Sequence, residues 1–189
     1  VVINDSIQTA VIGGGRARGI CGSGLLDAVA ELLRVGVIDS TGKIQRGGKL
    51  PGDLPDAVRD AVISVDDEPA VILVNAHSSK TDSHIVLTQK DVRELQLAKA
   101  AIWAGMRVVA EEFGTTLEEI NQILLAGGFG NFIRRSSAMR VGLLPEIPAE
   151  RVEFIGNAAL VGARVTLLCA DCREEAKRIS EKTEYIELA

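Results

Sequence analysis

The stretch LLAGGFGN, Leu124 to Asn131, decides how the chain is read. An apolar run that begins at Ile123 ends in three glycines within four positions, Gly127, Gly128 and Gly130. The continuous apolar run predicts a strand buried on both faces. Glycines directly after a strand sit where the backbone bends sharply or must come close to a ligand. A plain turn is the other reading, and these eight residues do not choose between them.

Working outward, Thr115 to Glu118 in TTLEEI carries a helix-start pattern just before the run. Further upstream Thr88 and Asp91 form another such start. The long helix after it places Leu95, Ala98, Ile102, Gly105 and Val109 on one face and stops at Gly114. Its small residues allow a neighbour to approach closely. Downstream, a short helical stretch around SSAMRV leads to the strand RVEFI and then to GNAALVGARVTLL, a helix with Asn157 as its N-cap. Helix, strand, glycine turn, then strand, turn and helix is the grammar of an α/β fold.

The first half of the chain is less regular. VVINDSIQTAVIGGG alternates weakly and breaks at Gly13 to Gly15, which predicts a strand pair with no obvious partner upstream, as though the chain began mid-domain. Leu25, Leu26, Val29, Leu32 and Leu33 mark an amphipathic helix ending at Gly36. DSTGKIQRGGKLPGDLPD from Asp39 is rich in Gly and Pro and predicts a surface excursion. AVILV from Ala70 and HIVLT from His84, joined by a polar link, predict a hairpin. Residues 39–90 are therefore expected to form a surface excursion and hairpin subregion. From Asp171 the tail predicts a solvated helix followed by an edge-strand-like EYIEL.

Composition bounds the function. The 189 residues are 47% hydrophobic and 25% charged, the balance of a soluble globular protein. A net charge of -5 argues against a nucleic-acid or anionic-membrane surface. Apolar stretches are broken well before membrane-spanning length. With aromatics at only 3%, the core must be built of Val, Ile, Leu and Ala, which suits helices packed on a sheet. Three cysteines, Cys21, Cys169 and Cys172, make no disulfide framework and point to a reducing cytoplasm.

Three stretches share one design: GICGSG at Gly19 to Gly24, AGGFGN at Ala126 to Asn131, and IGNAALVGA at Ile155 to Ala163. Each sets glycine or a small polar residue between an extended segment and a helix. Beyond strand ends in α/β sheets lies the crevice where ligands bind, and helix starts there offer free N–H groups. The three are candidates to line one cleft. None matches the Gly-Lys-Ser/Thr phosphate loop, and GGGRARG at Gly13 to Gly19 lacks the strand-helix context of a dinucleotide fingerprint.

The blocks RGICGSGLLDAVAELL, LTQKDVRELQLAKAAI, LLAGGFGN and VEFIGNAALVGA, taken in order, closely resemble the C-terminal domain of the reductive activators of corrinoid proteins. That family belongs to the acetate and sugar kinase, heat-shock protein and actin superfamily, and the resemblance runs from Arg18 to Leu188. It implies a partial actin-like, ribonuclease H-like α/β domain with a mixed sheet packed by helices. By resemblance, Gly127 and Gly128 would let a nucleoside lie against the backbone, Gly130 would shape the turn, and Asn131 follows in the same block. Gly156 and Asn157 would enter the second connecting helix, where Gly162 would permit close packing. Gly22, Ser23 and Gly24 would border the same cleft.

The resemblance further implies ATP or ADP with magnesium, a corrinoid protein as partner, and a two-iron, two-sulfur cluster in an N-terminal ferredoxin-like domain. The superfamily's two Asp-Gly phosphate loops do not occur in these residues, nor do the cluster's ligand cysteines. The chain thus reads as a fragment of a longer protein that lacks the charged groups phosphoryl transfer needs and should be catalytically silent alone. No catalytic residue and no metal ligand is assigned.

Other residues carry a functional and a bland reading side by side. Lys99, three residues after Gln96 on one helix face, would reach a nucleotide or an acidic partner, or else be solvated. CADC at Cys169 to Cys172 is either a redox or metal pair or two ordinary half-buried thiols. Cys21 reads as a small packing residue. His77 and His84 flank a loop with Asp82 between them and lack a third fixed ligand. Arg134, Arg135 and Arg140 either steer phosphates or form a solvated basic edge; Trp103 either anchors an interface or packs. Three functions remain open: the adenosine side of an activator's nucleotide cleft, a homodimerisation and docking module for the corrinoid protein, or an activator of another low-potential metalloenzyme.

Overall fold

The computed structural model describes residues 1–128 and 132–187. They fall into two units, Val1–Ile102 with Ile133–Glu146, and Trp103–Phe132 with Ile147–Ala189.

In the first unit, β1 (Val2–Ile3) and β2 (Ile7–Gln8) pair antiparallel, as the alternation at the start predicts. Helix α1 (Gly22–Arg34) follows. A short α2 (Asp56–Asp60) leads into β3 (Val62–Val65), β4 (Glu68–Val74) and β5 (Ile85–Thr88), an antiparallel sheet in that order. Asp66 and Asp67 turn the β3–β4 hairpin with φ of 48° and 64°, the left-handed pair that a two-residue hairpin loop requires. The long helix α3 (Gln89–Glu112) starts in this unit and ends in the other. Its start is the expected reciprocal cap: Thr88 N–H donates to Asp91 Oδ2 at 2.8 Å and Asp91 N–H to Thr88 Oγ1 at 3.2 Å.

The core of this unit holds Leu26, Val29 and Leu32 of α1, Val71 and Leu73 of β4, and Leu87 of β5. Burying such side chains is the main favourable term of folding, at about 1.5–3 kcal/mol each. The expected surface excursion is part of that core. Ile44, Leu50, Leu54 and Val58 are all buried, and Ile44 pairs with Ile38 across a turn. Its glycines and prolines mark bends, but an apolar residue between successive bends turns inward each time. Gln89 then pins the loop: its Oε1 accepts from Ile44 N–H and its Nε2 donates to Gly42 O, both at 2.8 Å.

In the second unit, β6 (Ile123–Ala126) and β7 (Val152–Gly156) form a parallel pair, Ile123 opposite Val152 and Ala126 opposite Gly156. Between them in sequence lies α4 (Arg135–Arg140), which belongs to the first unit, packs on α1 and holds the buried Ser137 and Ala138. After β7 come α5 (Ala158–Leu168) and α6 (Ala170–Lys182).

Several expectations fail in this unit. Strand β6 is not buried on both faces, since Leu124 is exposed. The long-helix stripe is only partly covered: Ile102 and Val109 are exposed, while Ala110 beside them is buried. Periodicity marks an apolar stripe without saying what covers it. The reciprocal cap expected at Thr115–Glu118 lies one residue later, where Thr116 N–H donates to Glu119 Oε2 at 3.0 Å. It opens only a single 3-10 turn. Among the described residues nothing lies within 4 Å of a Cβ built on Gly162, so none of them packs closely on the helix there. Residues 183–187 form no strand. Among the described residues no helix is long and apolar enough to cross a membrane.

Candidate functional site: a glycine wall at parallel strand ends

Strands β6 and β7 run the same way, so their C-terminal ends share one edge of the pair. Gly127 follows β6 and Gly156 ends β7, and the Gly127 N–H donates to Gly156 O at 2.6 Å. This single bond ties the two bends together. Both bends are left-handed, with φ of 95° at Gly127 and 66° at Gly156, conformations costly for any residue with a side chain. Among the described residues, a Cβ built on Gly127, Gly128 or Gly156 meets nothing within 4 Å. Among the described residues the edge is therefore a bare backbone surface, at the place where α/β sheets hold ligands.

Asn157 completes the second bend. Its Oδ1 accepts from Leu160 N–H at 3.0 Å and caps α5. Of the residues expected beside it, Gly130 and Asn131 lie outside the described residues, as does Phe129.

Gly22, Ser23, Gly24 and Lys99 belong to the other unit. Gly22 opens α1, and Cys21 before it is the N-cap without a side-chain cap bond. Cys21 is exposed, contrary to a packing role; its Sγ lies 3.4 Å from Ser23 Oγ. That hydroxyl, with the Gly24 N–H, holds the Cys21 thiol below the ordinary cysteine range. Ser23 itself is buried and turned to this contact. Cys21 and Gly24 border a cavity of about 370 Å³ that Ile20, Leu73 and Ile85 also line.

Lys99 is neither simply solvated nor free. Its Nζ donates to Val141 O at 2.7 Å, the carbonyl at the C-cap of α4. Cations are favoured there because the last carbonyls of a helix are unsatisfied and carry the negative end of its dipole. Gln96 Nε2 likewise donates to Thr41 O at 3.0 Å.

The loop histidines serve the hairpin link. His84 Nδ1 accepts from Ala76 N–H at 3.2 Å, and Asp82 pairs with Arg16 at 3.0 Å. Among the described residues no three His, Cys, Asp or Glu side chains gather as metal ligands would.

Two acids of α1, Asp27 and Glu31, are buried. Asp27 lies 3.4 Å from Arg134 Nε. Glu31 pairs with Arg34 at 2.8 Å and Arg140 at 3.5 Å, and accepts from Ile3 N–H at 3.1 Å. The Arg34 hydrogen bond, with the Ile3 N–H, holds the Glu31 carboxyl below its ordinary range against the opposing effect of burial. Arg134 and Arg140 thus bind α1 rather than forming a solvated edge. The Glu31–Arg34 spacing was visible as an i,i+3 pair, but partners more than a hundred residues away leave no local signal.

A family model described as the C-terminal domain of RACo, the ASKHA domain, matches residues 2–189. Corrinoid activation enzyme RamQ of Eubacterium limosum is 37% identical over 189 residues, 98% of this chain and 31% of that protein. The Co(II) methylated amine-specific corrinoid protein reductase of Methanosarcina barkeri is 25% identical over 169 residues, 89% of this chain and 26% of its own length. The chain thus spans less than a third of each of these relatives. Among solved structures, a reductive activator for corrinoid, iron-sulfur protein superimposes with a TM-score of 0.80 at 37% identity, covering 93% of this chain and 27% of the other. The protein belongs to the family of the RACo C-terminal domain, the ASKHA, actin-like domain.

Proposed function

We propose that this chain supplies the adenosine side of the nucleotide cleft in an ATP-dependent reductive activator of a corrinoid protein. The observation that carries the proposal is the Gly127–Gly156 bond between two left-handed glycines whose outer faces are open. A flat, neutral base and its sugar can lie on such a surface because no side chain stands between ligand and backbone. Asn157 fixes the bend beneath by capping α5. Gly22 and Gly24 at the start of α1 are carried over from the family pattern. Lys99 is a weaker assignment, since its ammonium is held by Val141 O.

The phosphates and magnesium need anionic and hydroxyl groups that the Asp-Gly loops of the superfamily provide, and those loops do not occur in these residues. In the proposal they belong to the remainder of a longer protein, as does the two-iron, two-sulfur cluster. The relatives' names supply the partner class: a corrinoid protein.

Titration calorimetry with ATP and ADP tests this on the chain alone and on the longer protein. Binding by the longer protein and weak or no binding by the chain alone is expected. A Gly128→Leu substitution in the longer protein sharpens the test: Gly128 has no left-handed φ, and its Cβ direction is open. Nucleotide affinity should fall at least about tenfold while the fold is kept, since the new side chain would stand where the base is proposed to lie. Unchanged affinity would sink the adenosine reading.

A second reading, a homodimerisation and docking module, is favoured by the exposed apolar side chains of α5, where Leu160, Leu167 and Leu168 are each more than 60% exposed. Absence of nucleotide binding by both forms, with concentration-dependent dimers, would favour it.

A further inference from the structure

Helices α5 and α6 meet at one residue, Cys169, which closes the first and N-caps the second. Its backbone is extended, with φ −127° and ψ 117°, so its side chain turns across the first turn of α6. There Cys169 Sγ accepts from Cys172 N–H at 3.2 Å. Both side chains are half-buried, neither sealed in a core nor free in solvent.

The junction is held from the other side by Arg173. Its guanidinium donates to Thr166 O at 3.1 Å and Leu167 O at 3.4 Å, closing the end of α5. The two sulfurs therefore sit on a braced corner rather than a loose tail. Residues three apart on a helix are neighbours on one face, within the Cα range that disulfides span. A metal site would need further ligands, and no third His, Cys, Asp or Glu joins these two among the described residues.

We propose that Cys169 and Cys172 form a redox-active dithiol that cycles between two thiols and an intramolecular disulfide by exchange with low-molecular-weight disulfides. The roles of the two sulfurs differ. Cys169 is the attacking group: the Cys172 thiol and N–H stabilise its thiolate and hold its pKa below the ordinary cysteine range, while Cys172 is raised above it. The Cys169 thiolate attacks one sulfur of the small disulfide, forming a mixed disulfide and expelling one thiolate. Cys172 then loses its proton and attacks the Cys169 sulfur, expelling the second thiolate. In sum two protein thiols become one disulfide, the small disulfide becomes two thiols, and the two protons pass to the leaving thiolates.

The test uses glutathione redox buffers under anaerobic conditions, followed by acid quenching, alkylation and peptide mapping of the purified protein. In oxidised buffer the peptide carrying Cys169 and Cys172 should lose two hydrogens and resist alkylation. Cys172→Ser should trap a glutathione adduct on Cys169. Cys169→Ser, which keeps an N-capping side chain, should form the adduct on Cys172 at least about tenfold more slowly. The alkylation rate of Cys169 in the Cys172→Ser protein should reach half-maximum below the pH of an unperturbed thiol. Free thiols at both positions in fully oxidised buffer would overturn the proposal. So would disulfides only between molecules, or faster reaction at Cys172 than at Cys169. The wild-type mapping alone decides the matter if either variant fails to fold.

Discussion

Glycines with left-handed backbone occur in both units, and two pairs of them have opposite surroundings. In the first unit Gly36, at φ 73°, has the Pro51 ring where its Cβ would be, 2.8 Å from Cγ. Gly42, at φ 84°, lies against the Gln96 amide. These glycines exist because another part of the fold occupies the space. In the second unit Gly127 and Gly156 are also left-handed, and among the described residues nothing lies within 4 Å of a Cβ built on either. Openness alone does not mark a site, since Gly47 and the helix-ending Gly114 are also left-handed and uncrowded; Gly127 and Gly156 differ in being bonded to each other at the ends of two parallel strands. Residue type does not separate the two cases; the neighbourhood does.

The same contrast runs through the side chains. Leu32 of α1 is fully buried, whereas Leu167 of α5 is 75% exposed. Replacing Leu32 with Ala should cost about 3 kcal/mol, from lost transfer energy and the cavity left behind. Leu167→Ala should change stability by less than about 0.5 kcal/mol in the isolated chain. Urea unfolding of both variants measures this directly. Equal losses would mean that α5 is covered in solution, and the difference between the units would vanish.

The next largest effect concerns charge within the packed unit. Glu31→Gln removes the carboxylate that Arg34, Arg140 and the Ile3 N–H share, and should cost about 2 kcal/mol. The value stays near the lower end for a buried ionic contact because Arg34 and Arg140 are each partly open to water. Since the folded state holds the Glu31 carboxyl below its ordinary value of 4.5, this stabilisation is complete above that pH. It is lost as pH falls through the lower, folded value. Unfolding midpoints measured from pH 7 downward should show the wild type losing this margin in acid and converging on the Gln variant. A constant gap down to strongly acidic pH would refute the assignment.

How much of this was legible depends on how local the cause is. The Thr88–Asp91 cap, the Asn157 cap and the strand–glycine–helix order lie within a few residues, and the sequence pattern matches the structure there. Burial of Asp27 and Glu31 depends on Arg134 and Arg140, which no window along α1 contains. Gln89 reads as an ordinary first-turn residue, yet it holds a loop 45 residues away through two bonds. The segment from Asp39 misled because Gly and Pro report bends, while the inward turn of Ile44, Leu50 and Leu54 depends on what those bends face. For the candidate site, Gly127 and Gly156 were recognisable as a pair of bends after strands. Their mutual hydrogen bond required the parallel register of β6 on β7.

The finest test compares the two kinds of glycine by one methyl group. Gly156→Ala meets only the left-handed backbone penalty and should cost about 1 kcal/mol. Gly36→Ala meets a similar penalty and in addition drives its methyl into the Pro51 ring, so its cost should be larger, about 2 kcal/mol. Because φ is 66° at one site and 73° at the other, backbone strain largely cancels in the difference. The remainder, about 1 kcal/mol, measures crowding alone. Chemical unfolding resolves a difference of that size. If Gly156→Ala proved as costly as Gly36→Ala, the space beyond β7 would be filled by the protein itself, and nothing would be left there for a nucleoside to occupy.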